Sequence, residues 1–119
     1  MTAPVRLRLS RERGSSLAQR SRSANGLPAV VVARPGRWGN PFRIGHMWTR
    51  DRIEPGGGTK GCGPVANAEE AVRLFRRFTA RETAYRIAAH QTLRGKNLAC
   101  WCRLDQACHA DVLLEISNA

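Results

Sequence analysis

Asn97-Leu98-Ala99-Cys100-Trp101-Cys102 and, five residues later, Cys108-His109-Ala110-Asp111-Val112-Leu113-Leu114-Glu115-Ile116 decide the fold. The first piece is a short, largely apolar run just after Gly95, and it reads as a buried strand. The second places Val112, Leu113 and Ile116 at helical spacing. Together they predict a strand, a cysteine-bearing loop and a final helix. Upstream, residues 29–33 form the unbroken run Ala-Val-Val-Val-Ala, opened by Pro28 and closed by Arg34-Pro35-Gly36. Such a run predicts a strand covered on both faces. Val5-Arg6-Leu7-Arg8-Leu9 alternates apolar and basic residues, the pattern of a half-exposed strand.

Two helices are predicted between these strands. Asn67 is a good N-cap, Glu70 follows at capping-box distance, and Ala71, Leu74, Phe75 and Phe78 share one face. A second helix over about 82–93 would turn Ala84, Ile87 and Ala88 inward and stop at Gly95. Strand, helices, strand and helix in that order imply a crossover connection and a mainly parallel sheet. The fold class expected is α/β: a small Rossmann-like three-layer domain, with residues 1–119 forming a single domain. Residues 10–28 have little apolar content and read as a basic loop or arm. Residues 34–45 and 50–63 read as loops, the second with Gly56-Gly57-Gly58 at its tip.

Composition narrows the function classes. Twenty Lys and Arg stand against nine Asp and Glu, for a formal charge of +11. The surplus favours polyanionic or phosphorylated partners, although high-GC coding also enriches Arg. Eight arginines and one glutamate fall in residues 1–37, so much of the charge is N-terminal. No window is apolar enough for a membrane span, and the N-terminus does not read as a signal peptide, so a cytoplasmic protein with no membrane partner is expected. The four cysteines, Cys62, Cys100, Cys102 and Cys108, are then expected to be reduced. On an extended strand, Cys100 and Cys102 would stand too far apart for a disulfide.

Two segments can carry chemistry, and both leave strands at their carboxyl ends, where ligand sites of open parallel sheets lie. In residues 34–42, Arg34 and Arg37 suit a bidentate grip on phosphate or carboxylate, Asn40 an amide or base edge, and Trp38 a stacking face. The competing reading is a structural turn in which Trp38 and Phe42 plug the core. In the second segment, Cys102, Cys108 and His109 are candidates for a reacting centre, with Asp111 capping the helix or orienting His109. Three readings of it stand open. It is an anion cradle closed by the helix N-terminus, with a thiolate at Cys108. It is a zinc site, for which C-x-C-x5-C-H is an unusual spacing with adjacent Cys and His ligands. Or its cysteines are simply packed as small apolar groups. The layout of strand, cysteine, loop and helix resembles the phosphate loops of cysteine phosphatases and rhodaneses, but Cys108 stands where the phosphatase arginine would be.

The stretches Arg37-Trp-Gly-Asn-Pro-Phe42, Leu93-Arg-Gly-Lys-Asn-Leu-Ala-Cys-Trp-Cys102 and Cys108-His-Ala-Asp-Val-Leu-Leu-Glu115 together resemble the bacterial and phage family called domain of unknown function 4326. The resemblance runs from Val5 onward, with an irregular stretch over 15–26, and implies no particular activity. The Cys-His pair before a helix also resembles, over a short stretch, the family called domain of unknown function 488. The function expected from the residues is binding or processing of a nucleotide, nucleoside or nucleic-acid base, or another phosphorylated small molecule, with no metal and no cofactor. The alternative is a non-catalytic module that binds DNA or RNA through a basic N-terminal face.

Overall fold

Strand pairing starts from the cysteine segment. In a computed structural model, which describes residues 2–54, 56–58 and 61–119, β5 (Asn97–Cys100) lies between β1 (Arg6–Arg8) and β2 (Ala29–Val31). Both neighbours run parallel to β5, with Leu7 and Val31 each opposite Ala99. The ladder continues past the strand ends through Leu9 N–H to Cys100 C=O at 2.8 Å and Val32 N–H to Ala99 C=O at 2.9 Å. Every residue of β5 is buried. A mixed α/β architecture with a parallel sheet is therefore present.

The central position of β5 corrects the reading of residues 29–33. β2 is an edge strand, and Val31 is 49% exposed while Val32 and Ala33 beyond it are buried. An apolar run reports hydrophobicity, not the number of neighbouring strands. β1 departs from its pattern too. The side chain of Arg6 is only 10% exposed and donates from Nη2 to the Leu104 carbonyl at 2.8 Å.

Residues 10–28 are not a loop throughout, because α1 (Leu17–Asn25) occupies their centre. Ser16 caps it by accepting from Gln19 N–H, and Gly26 ends it at φ 81°. Its inward residues are polar: Ser21 and Asn25 meet the buried side chain of Asn97. A helix held by amides lacks the apolar stripe that reveals helices in sequence. The region 50–63 also contains structure. Met47–Thr49 (β3) pairs antiparallel with Gly61–Pro64 (β4), and Arg50–Arg52 forms a 3-10 turn. Pro55, Thr59 and Lys60 of that predicted loop lie outside the described residues.

α2 (Ala68–Arg81) follows its prediction. Asn67 accepts from Glu70 N–H at 2.9 Å, and Glu70 reaches back to Ala66 N–H at 3.0 Å. Ala71, Leu74 and Phe75 are buried and Phe78 packs beside them. α3 (Thr83–Leu93) is present but rotated from the expected face. Ala89 and Leu93 are fully buried, whereas Ala84 is exposed and Ile87 is 53% exposed. Tyr85 sets this rotation by packing edge-on against Trp38, Phe75 and Phe78. α4 (His109–Ser117) packs on β5, β1, α2 and α3, so its first turn sits at the carboxyl end of the central strand.

Candidate functional site

The chain turns sharply where β5 ends. Cys100 is the last strand residue, Cys102 lies in the bend after it, and Cys108 is the N-cap of α4. The Sγ atoms of these three residues all lie within 4.8 Å of one another. Cys100 Sγ and Cys102 Sγ are 3.9 Å apart, closer than a continuing strand would hold them, because the strand stops between them. Cys102 sits in the bend, not in the strand predicted through it.

His109 Nε2 is 2.8 Å from the Val32 carbonyl, and its ring stands edge-on to Phe75 at 5.3 Å. A carbonyl only accepts, so the hydrogen is on Nε2 and the neutral ring presents a bare Nδ1, 3.7 Å from Cys108 Sγ. Burial lowers the His109 pKa and so favours the neutral imidazole; the hydrogen bond to the Val32 carbonyl opposes it. In the thiol cluster, the Cys100 and Cys102 thiols donate to Cys108 and lower its pKa. Burial opposes them, and Ala110 N–H and Arg6 assist. Cys102 moves the other way, raised by its hydrogen bonds to Cys100 and Cys108 and by burial.

Cys100, Cys102, Cys108 and His109 line a cleft of about 310 Å³ together with Arg34, Asn40 and Arg43. Tight local geometry holds the segment that carries Arg34 and Asn40. Gly36 N–H bonds the Ala33 carbonyl at 3.2 Å, Gly39 N–H bonds the Gly36 carbonyl at 3.0 Å, and Arg34 Nη1 reaches the Asn40 carbonyl at 2.6 Å. Gly39 is required there, since a Cβ would stand 2.9 Å from Arg34 Cα. Asn40 is buried, donating to the Ala71 carbonyl at 3.1 Å and accepting from Phe42 N–H at 2.9 Å. It anchors the loop to α2 while bordering the cleft.

The cleft thus brings together Arg34, Asn40, Cys102, Cys108 and His109 of the predicted site. Trp38, Arg37 and Asp111 are not among its lining residues. Trp38 is 7% exposed and packs on Tyr85, so it plugs the core. The Arg37 guanidinium covers the Trp38 ring at 4.7 Å. Asp111 faces Arg6, 3.4 Å away, and it is Val32, not Asp111, that orients His109. Arg43 and Trp101 line the cleft without having been singled out by the sequence pattern, and Cys100, named there as a ligand in the zinc reading, lines it too. Arg43 lies one residue beyond the motif, and Trp101 sits between two cysteines whose chemistry is the stronger signal. Trp101 is 45% exposed at the rim, with the Arg11 guanidinium 4.9 Å over its ring.

No helix among the described residues is long and apolar enough to cross a membrane. No curated protein and no solved structure matches the chain. A family model does match over residues 17–119, a span that holds every residue lining the cleft and leaves β1 outside. The chain belongs to the family described as Domain of unknown function (DUF4326).

Proposed function

We propose that this protein binds a small phosphorylated molecule of the nucleotide or nucleoside class in the cleft and presents it to the thiol cluster for processing. The carrying observation is the convergence on one cleft of Arg34 and Arg43 with Cys102, Cys108 and His109. A volume of about 310 Å³ is at the small end for ligand pockets, which suits one nucleotide-sized molecule and not a strand of nucleic acid. Two guanidinium groups and the N-terminus of α4 supply positive potential for a phosphate. Trp101 at the rim offers the stacking face that Trp38 cannot. This reading treats the fold as a reduced Rossmann-like domain, using the carboxyl ends of parallel strands as such sheets do. It also places the protein in the cytoplasm, where thiols stay reduced.

A second reading, a nucleic-acid-binding face without chemistry, has one observation in its favour. Among the described residues, Arg8, Arg11, Arg13, Arg20 and Arg22 form no ion pair with an acidic side chain. Calorimetric titration with the four nucleoside monophosphates separates the two readings. Arg34→Ala and Arg43→Ala are each expected to weaken binding about tenfold or more, the effect of removing one charge-assisted hydrogen bond. Arg37→Ala is expected to leave it unchanged. Affinity indifferent to Arg34 and Arg43, but abolished by removing the arginines of residues 10–28, would overturn the cleft reading and leave the second.

A further inference from the structure

The three thiols of the cluster come from three different settings: a strand end, a bend and a helix cap. Neutral thiols are weak hydrogen-bonding groups, so their mutual attraction gives little reason to gather them. Disulfide chemistry does not account for three, because one sulfur would be left over. Metal chemistry does. At a Zn–S distance of about 2.3 Å, tetrahedral ligands stand roughly 3.8 Å from one another. Cys100 and Cys102 stand at 3.9 Å, and all three sulfurs fit within 4.8 Å.

The expectation of no metal rests on adjacent Cys108 and His109 making awkward partners. The geometry removes His109 from the ligand set. Its ring is held by Val32, and it is not among the side chains that converge with the three sulfurs. Three thiolates around a divalent ion carry a net charge of minus one, which needs a counter-charge where water is scarce. Arg6 is placed to supply it. Its side chain is nine-tenths buried, and its Nη1 is buried without a hydrogen-bond partner among the described residues. Asp111 at 3.4 Å engages only its Nε side.

We propose that Cys100, Cys102 and Cys108 hold one soft divalent cation, zinc by its ligand chemistry, with the fourth coordination position open to the cleft. All three cysteines line that cleft, so the open position faces whatever the cleft holds. Ion binding stands on the thiol geometry alone; the identity of the fourth ligand rests on the phosphorylated-ligand reading above. The cluster would then act on a bound molecule through a Lewis acid, with Cys108 a ligand and not a nucleophile.

The test uses the full chain, purified without chelator from zinc-supplemented cultures. Elemental analysis is expected to give one zinc per chain. Alkylation is expected to spare three of the four cysteines until a chelator is added. Cobalt added to the stripped protein should give tetrahedral visible bands and a sulfur-to-cobalt charge-transfer band, and added imidazole should shift the visible bands by entering the open position. Cys102→Ser should weaken zinc binding more than about a hundredfold and Arg6→Ala about tenfold, the range for loss of an outer partner. Cys62→Ser should leave it unchanged. These spectra and labelling rates come from the wild-type chain, so a variant that fails to fold does not decide the matter. Three readily alkylated thiols with no bound metal, or a Cys100–Cys102 disulfide found by mass spectrometry, would overturn the proposal. Cobalt bands indifferent to imidazole would overturn the open position. A chain that keeps its zinc but binds no nucleotide would sink the cleft reading and not this one.

Discussion

Tyr85 is the chain's one tyrosine, and its hydroxyl is buried without a hydrogen-bond partner among the described residues. Burial pushes its pKa from 10.0 to about 12, with Arg37 opposing. The folded chain therefore holds a proton that the unfolded chain has lost between those values. The contribution to stability is complete below about pH 10 and is lost as pH rises through about 12. Ultraviolet titration of the phenol reads this residue without interference from another tyrosine. Its midpoint should lie near 12 in the native protein and near 10 after unfolding. A native midpoint near 10 would show that the ring is not held as described. Tyr85→Phe removes a buried, unpartnered polar atom while keeping the ring contacts, so denaturant melts should show a change between zero and about 1 kcal/mol in the stabilising direction. At this scale the sequence was partly legible. Pro and Gly around Arg34, Trp38 and Asn40 signalled a shaped loop, but which aromatic ring is buried depends on what packs against it. Trp38 found Tyr85, which lies far along the chain, and so does not reach the cleft.

Asn97 carries the element scale. Fully buried at the start of β5, its side chain accepts from Val5 N–H at 2.9 Å and donates to Ser21 Oγ at 2.8 Å. It also exchanges reciprocal 2.8 Å hydrogen bonds with Asn25. One amide thus fixes α1 and the entry of β1 to the central strand. Asn97→Ala leaves the part-buried Val5 N–H and the buried Ser21 hydroxyl without these partners. The expected cost is roughly 2–4 kcal/mol in urea unfolding, together with early loss of hydrogen-exchange protection in α1. A cost below about 1 kcal/mol, with α1 still protected, would show that the helix is held by something else. The same residue explains why α1 leaves no mark in the sequence pattern. Helix signals in sequence come from apolar periodicity, which α2 has in Ala71, Leu74 and Phe75, whereas α1 docks through Ser21 and Asn25. The rotation of α3 has a related cause, because an alanine-rich helix offers several faces of similar hydrophobicity.

Across the whole molecule the dominant quantity is charge. The formal excess is +11, and the five ion pairs found among the described residues consume few of the arginines. Non-specific affinity for DNA or RNA is expected to fall steeply with salt. Replacing Arg11, Arg13, Arg20 and Arg22 together should reduce the logarithmic salt slope by roughly one unit for each phosphate no longer neutralised. Fluorescence anisotropy with a labelled duplex and a labelled single strand measures it. Tight binding that ignores salt, or a slope untouched by the four replacements, would remove the N-terminal face from consideration. Absence of binding even at low salt would leave the charge to small phosphorylated ligands and to solubility.

The local sequence by itself determined β1, β5, α2 and α4 and the end of the sheet at which the two candidate segments meet. Each of those rests on short-range causes: apolar runs, a capping Asn, and helical spacing within a few residues. The family was legible for the same reason, since its motifs are contiguous. Only the tertiary structure decided that β5 is central, that Arg6 points inward, and that three cysteines from separate settings meet while Arg37, Trp38 and Asp111 turn away. Those outcomes depend on which distant segments share a strand edge or a cavity. Spacing along the chain constrains ligand geometry only where the backbone between ligands is regular, and here it bends between Cys100 and Cys108.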